Sequence, residues 1–151
     1  MHETEALHIR RLTAEDLEPL HRLLSDPAVM RYLEPPFTRA QTEAFLQKAG
    51  MGREPLIWAV EDGRGFAGYV IYHPYDETSM ELGWVLASDR WGRGYALALT
   101  RQMICRAREN GRDAVIECHP QQAATRHIAE KLGFRPCGMD GGCCVYRLAG
   151  N

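Results

Sequence analysis

Glu81-Leu-Gly-Trp-Val-Leu-Ala-Ser-Asp-Arg90-Trp-Gly-Arg-Gly-Tyr-Ala96-Leu-Ala-Leu-Thr100 decides the fold, because a run of strand formers passes through a Gly-rich turn directly into a helix. Gly92 and Gly94 lack a Cβ, so the amides of residues 92–96 can converge on a phosphate at the positive end of the helix that follows. A dinucleotide fingerprint would put a third glycine where Leu97 stands, and a P-loop would need Gly-Lys-Ser/Thr, which the chain lacks. Glycines that serve only a tight turn are the competing reading of this stretch taken by itself.

Working outward, the punctuation is regular, without a repeat, low-complexity tract or linker, and the expectation is a single domain over 1–151. Leu7 to Leu12 reads as a first strand. Thr13 with Asp16 makes a capping box, Leu12 can staple onto Leu17, and Leu17, Leu20 and Leu24 mark the buried stripe of a first helix. Thr38 and Gln41 repeat the device for a second helix that carries Phe45 and Leu46 and stops at Gly50. Tyr32 to Phe37, with two prolines, reads as an extended connection.

Leu56 to Val60 and Phe66 to Tyr72 are strands joined at Asp62-Gly63, and a third covers Met80 to Leu86 after a Pro74 to Glu77 turn. The helix after the Gly turn buries Leu97, Met103, Ile104 and Ala107 and ends at Asn110-Gly111. Ala114 to Cys118 is a short strand, and Gln122 to Leu132 a helix with Ala124, Ile128 and Leu132 on one side, stopped by Gly133. Phe134 to Gly138 and Cys143 to Leu148 close as a final hairpin. The order β-αα-βββ-αβ-αββ describes a mixed α/β sheet.

Composition narrows the class. At 151 residues with 45% apolar content the chain is long enough for one real core, and a net charge of −2 argues against a nucleic-acid binder that uses a basic face. No apolar run approaches the ~18 residues of a membrane span. Met1-His-Glu-Thr-Glu-Ala has neither the basic start nor the apolar block of a signal peptide, so a cytoplasmic protein is expected. Five cysteines, an odd number, fit a reduced compartment. Cys137, Cys143 and Cys144 lack a C-x-x-C spacing, so no metal is expected and buried strand thiols are favoured.

A second segment, His119-Pro-Gln-Gln122-Ala-Ala-Thr125-Arg-His-Ile-Ala-Glu-Lys-Leu-Gly133-Phe134, joins the Gly turn to form a recognisable pair. Together they resemble the paired motifs of the GNAT superfamily of acetyl-CoA-dependent N-acetyltransferases. Trp91 to Ala96 is similar to the W-G-x-G-Y-A turn of the ribosomal-protein alanine N-acetyltransferase branch, and His119 to Phe134 to its H-P-x-N-x-x-S-x-x-x-x-E-K-L-G-F helix. Leu7 to Leu12 and Asp26 to Leu33 also look like that branch. The resemblance implies a mostly antiparallel sheet of six to seven strands with four helices. It also implies a pantetheine arm inserted where two central strands diverge.

By that resemblance, Trp84, Val85 and Leu86 offer backbone groups to the pantetheine of acetyl-CoA, and Gly92, Arg93, Gly94, Tyr95, Ala96 and Leu97 hold its pyrophosphate. Arg90 and Arg93 can add charge there, or be solvated surface. Gln122 stands where the branch carries a cofactor-contacting Asn, and Tyr32 in the loop that lines the acceptor side.

Transfer to an amine requires a base, a polarised thioester carbonyl and a stabilised leaving thiolate. Glu117 and Glu81 are the candidate bases, with Glu117 preferred because it alternates with Val115 and His119; a strand carboxylate in water is the alternative for both. Thr125, where the branch has Ser, is the candidate acid, since the Tyr many relatives carry four residues before the Gly-Phe glycine is Ala129 here. His119 is a possible proton relay. Cys118 would allow an acetyl-enzyme intermediate, but strand alternation turns it from the Glu117 face, and direct transfer in a ternary complex is expected. The acceptor is a primary amine, a protein N-terminus or a small molecule, and the chain a monomer or homodimer. A CoA-binding regulatory module without turnover is the reading from another class, suggested by Ala129 and Gln122.

Overall fold

A computed structural model describes residues 6–150. The expectation placed on Met1 to Glu5, that no signal peptide begins there, lies outside the described residues. Seven strands, β1 (His8–Arg10), β2 (Ile57–Asp62), β3 (Gly65–Asp76), β4 (Ser79–Leu86), β5 (Asp113–Cys118), β6 (Arg135–Asp140) and β7 (Cys143–Leu148), form a sheet in the order β1-β2-β3-β4-β5-β7-β6. The β4–β5 pair is parallel; β1–β2, β2–β3, β5–β7 and β6–β7 are antiparallel. Five helices, α1 (Leu17–Leu24), α2 (Pro27–Met30), α3 (Arg39–Phe45), α4 (Tyr95–Glu109) and α5 (Ala123–Lys131), complete the expected order, with the short turn α2 added to it. The described residues form two compact units: 6–71 with Trp84–Tyr95, and Tyr72–Gly83 with 96–150.

In the first unit both expected capping boxes are present. The Asp16 carboxylate accepts from the Thr13 amide at 2.8 Å, and the Gln41 side-chain oxygen from the Thr38 amide at 2.8 Å. Asp16 closes the 3₁₀ turn Ala14–Asp16 that leads into α1, and both of its oxygens also receive the Arg10 guanidinium, at 2.8 and 2.9 Å. Leu20, Leu23 and Leu24 of α1 pack with Leu12, Met30, Leu46, Ala49, Ile57, Ala59, Tyr69 and Val85. Leu17 is half-buried against that core. Helix α3 runs on into a wide turn over Leu46–Gly50, closed by the Met51 amide on the Leu46 carbonyl at 2.9 Å. A Cβ at Gly50 would stand 2.9 Å from a Leu12 methyl.

Gly68 on β3 has φ +147, and a Cβ there would lie 2.1 Å from the Val85 carbonyl oxygen. Backbone meets backbone at this point, which only glycine allows.

In the second unit α4 buries Leu99, Thr100, Met103, Ile104 and Ala107. Leu97, expected in that stripe, is half-buried instead. The helix stops at Gly111, φ +68. On α5 the buried residue is Ala129; Ala124, expected on the inner side, is exposed. Strand β6 lies at the sheet edge with all six residues exposed, so Cys137 is exposed rather than buried, and Cys143 and Cys144 on β7 are half-buried.

Strand β3 runs four residues past the expected end at Tyr72 and takes Pro74 into its body. Its last partner on β2 is Ile71, opposite Ile57, so the extension has no β2 ladder that a missing proline N–H would interrupt. Among the described residues, no helix is long and apolar enough to cross a membrane.

Candidate functional site

The Gly turn of the first unit has the geometry of an anion cradle. Gly92 and Gly94 adopt φ +76 and +79, and an added Cβ would meet nothing within 4 Å at either position. The glycines answer to backbone conformation rather than crowding, and an open space fronts them. Two left-handed residues separated by one other turn successive amides toward a common side. Arg93 is exposed at the tip. The residues present therefore suit a bound pyrophosphate.

Beneath that turn the charges are tied down. Arg90 is buried and grips Asp62, Nε to Oδ2 at 2.9 Å and Nη2 to Oδ1 at 3.1 Å, while its Nη1 holds Asp89. The Tyr95 hydroxyl donates to the same Asp62 carboxylate at 2.9 Å, as does the Arg64 amide. With the Arg90 guanidinium foremost, these donors hold the Asp62 carboxyl well below the usual range. This corrects the expectation for Arg90, whose charge anchors the loop and is not presented to a phosphate. Tyr95 likewise has its ring in the anchor, so its backbone is the part at the turn.

Val85 and Leu86 are buried and Trp84 is half-buried. The Leu86 carbonyl accepts from the Trp91 indole at 3.0 Å, which fixes a tryptophan that is 51% exposed. Tyr32 is half-buried after α2, with the Arg31 guanidinium 5.0 Å over its ring.

In the second unit the two candidate bases share a sheet face. The β4–β5 ladder pairs Ser79 with Asp113, Met80 with Ala114 and Glu81 with Val115, and parallel partners point the same way, so Glu81, Val115 and Glu117 face one side. Glu117 is half-buried on β5. Opposite it on β7 is Val145, which puts Cys143 on the same face, and Asp140 of β6 pairs with Cys143.

Two residues of the β3 extension complete the group. His73 Nε2 lies 3.7 Å from Glu81 Oε1, and the Tyr75 phenol feels the Glu117 carboxylate. Burial pushes the Glu81 carboxyl up, against the pull of His73 and with the repulsion of Glu117. The Glu117 carboxylate, foremost, pushes the Tyr75 phenol up to about 12. Sequence reasoning missed His73 and Tyr75, because Pro74 made that stretch read as a turn.

The remaining candidates stand on or before α5. Gln122 caps the turn ahead of it: its Oε1 accepts from the His119 amide at 2.8 Å and its own amide donates to the His119 carbonyl at 2.9 Å. His119 Nδ1 accepts from the Gln121 amide at 3.0 Å, so a neutral ring carries its proton on Nε2. Thr125 is half-buried. Cys118 is buried, and burial first, with Cys144 nearby, pushes its thiol up to about 11.

A family model for the acetyltransferase (GNAT) domain matches residues 6–135. The chain belongs to the GNAT acetyltransferase family. Two Bacillus subtilis (strain 168) proteins are similar to it. The uncharacterized N-acetyltransferase YnaD is 26% identical, covering 90% of this chain and 83% of its own length. The uncharacterized protein YkkB is 30% identical, covering 87% and 83%. A GNAT-family acetyltransferase from Bacillus anthracis superposes with a TM-score of 0.81 at 25% identity, covering 98% of this chain and 97% of that one.

Two further structures share the fold. One is the spermidine N-acetyltransferase of Vibrio cholerae, solved with CoA and spermine (TM-score 0.76, 23% identity, 94% and 93% covered). The other is the ribosomal-protein-alanine N-acetyltransferase of Brucella melitensis (0.71, 22%, 94% and 99%). A GNAT enzyme moves an acetyl group to an amine. Among the described residues no group of three or more His, Cys, Asp or Glu is arranged to hold a metal ion.

Proposed function

We propose that the whole chain acts as one acetyl-CoA-dependent N-acetyltransferase domain that transfers directly to a primary amine, with a protein N-terminus as the leading acceptor. Gly92 to Leu97 hold the pyrophosphate through backbone amides with Arg93 at the tip, and Trp84, Val85 and Leu86 offer backbone groups to the pantetheine. Gln122 keeps the turn before α5 in place, and Tyr32 contacts the acceptor. Bound acetyl-CoA supplies the thioester whose carbon–sulfur bond breaks as the nitrogen–carbon bond forms.

Glu117 is the base. An ammonium acceptor gives one proton to the Glu117 carboxylate and becomes the neutral, nucleophilic amine. The observation that carries this assignment is its position on the face shared with Glu81, two residues along β5 from the Glu81↔Val115 pair. Thr125 is the donor proposed for the departing thiolate, and it takes a proton back from the nitrogen as the amide forms. Cys118 takes no part, since a thiol pushed up to about 11 is neutral at working pH and a poor nucleophile. The motif likeness of Trp91 to Ala96 and of His119 to Phe134 supports the alanine N-acetyltransferase branch.

Acetyl-CoA consumption with peptides starting in Ala, Ser or Met and with putrescine and spermidine tests the reading. With the best acceptor, Glu117→Gln should lower kcat by about 10²-fold or more at neutral pH while calorimetry shows unchanged acetyl-CoA binding. If Glu81→Gln has that effect and Glu117→Gln does not, the base is Glu81. Tight acetyl-CoA binding without turnover of any amine would leave a regulatory module.

A further inference from the structure

We propose that Cys118 and Cys144 form a modification site, a thiol pair that closes into a reversible disulfide staple between β5 and β7 on contact with a small-molecule disulfide. The two residues are direct partners in the antiparallel β5–β7 ladder, and Ile116↔Tyr146 is the next pair on the same face. Opposed residues of such a ladder have Cα atoms about 4.5 or 5.5 Å apart, and both spacings fall within the roughly 4.4–6.8 Å that a disulfide spans. Closure therefore needs side-chain rotation and no change of register. Cys143, the preceding residue, lies on the opposite face with Glu117 and does not substitute for Cys144.

The two thiols differ in access, and that sets the order of events. Cys144 is half-buried and is the one a small disulfide reaches, whereas Cys118 is buried and meets only its neighbours. Burial first, then Cys144, pushes the Cys118 thiol up to about 11, against the charge of Arg126. That guanidinium is tied to the same face, its Nε 3.3 Å from the Tyr146 hydroxyl and its Nη1 3.1 Å from the Pro120 carbonyl, where it supports a thiolate at Cys118. The Cys144 thiolate attacks one sulfur of oxidised glutathione, and the glutathione thiolate released takes up the proton Cys144 gave up. Cys118 then attacks the Cys144 sulfur of the mixed disulfide, its proton passing to the second glutathione as that leaves. Two protein thiols are oxidised and one glutathione disulfide is reduced to two thiols. The closed bond encloses α5 and β6, so it restrains the unfolded chain.

The native full chain, treated with oxidised glutathione, blocked at its remaining thiols and digested without reductant, should yield a peptide pair joined through Cys118 and Cys144. Its mass should be that of the two peptides less two hydrogen atoms, and dithiothreitol should part it. Cys143→Ser should keep the link, which assigns the bond to Cys144, and Cys144→Ser should lose it. Cys105 and Cys137, both exposed, should carry glutathione in every variant and so report that the oxidant acted. The linked chain should melt about 3 °C or more above the reduced chain, a gain absent from Cys144→Ser. Glutathione on Cys105 and Cys137 without a Cys118–Cys144 link overturns the proposal, as does a linked chain whose Tm does not rise. None of these readouts needs an acetyl acceptor.

Discussion

The Arg90 guanidinium closes on the Asp62 carboxylate with two parallel hydrogen bonds, 2.9 and 3.1 Å, and the Asp62 side chain is fully shielded from solvent. One partner stands just before the Gly turn and the other at the end of β2, so the pair fixes where the loop departs from the sheet. Removing one member leaves the other buried and unpaired. Asp62→Asn should cost about 3–5 kcal/mol and lower Tm by about 10 °C or more.

The same pair has a pH signature. The Asp62 carboxyl lies below its ordinary value in the folded chain, so its stabilisation is fully present above the unfolded value and is lost as pH falls. Chemical denaturation at several pH values should show a constant gap between wild type and Asp62→Asn near neutrality. That gap should narrow below about pH 4.

Glu81 carries the opposite sign. Its folded carboxyl is raised, chiefly by burial, so ionisation at neutral pH opposes folding, and stability falls as pH rises through the interval between the unfolded and folded values. Glu81→Gln should raise Tm at pH 7 by about 1–3 °C. The gain should vanish below about pH 4, where the unfolded chain is protonated as well.

At the turn, Gly94→Ala and Gly94→Glu separate conformation from charge. Both meet the strain of φ +79, and the added Cβ meets nothing within 4 Å. Alanine should weaken acetyl-CoA binding about 5- to 30-fold if the full 1–2 kcal/mol of left-handed strain falls on the bound turn. The glutamate, which adds a carboxylate where the pyrophosphate is proposed to lie, should abolish binding by calorimetry. Equal affinity of Gly94→Glu and wild type would remove the phosphate site.

Direct transfer predicts that Cys118→Ala keeps most of its activity and that initial-rate plots intersect. Alkylation followed by mass spectrometry should label Cys105 and Cys137, both exposed, well before Cys118, whose thiol is buried and pushed up to about 11. Parallel rate plots with an acetylated Cys118 would reverse the mechanism.

Where a local rule decides structure, the sequence could be read. Thr13 with Asp16 and Thr38 with Gln41 form the boxes their spacing demands, and Gly111 stops α4 where a left-handed cap was expected. The Gly turn was legible because positive φ needs glycine. What escaped depended on partners distant in sequence: Pro74 sits inside a strand because β2 ends early, Cys137 is exposed because β6 became an edge, and Arg90 turns inward because Asp62, twenty-eight residues away, receives it. Glu81 and Glu117 were each visible as strand carboxylates. Their companions His73 and Tyr75 follow from tertiary placement and had no signature in the chain.

The approach of Gly68 to the Val85 carbonyl has a consequence for anyone who would reshape this enzyme. At 2.1 Å from that oxygen no Cβ fits without moving the backbone of β4, whose Trp84, Val85 and Leu86 are proposed to greet the pantetheine. A saturation library screened for turnover would therefore score position 68 as strictly as a member of the catalytic machinery, though it offers a ligand nothing. A thermal-shift screen run beside it would tell the two apart, because Gly68 variants should lose their fold, whereas Glu117→Gln should lose its chemistry and keep its fold.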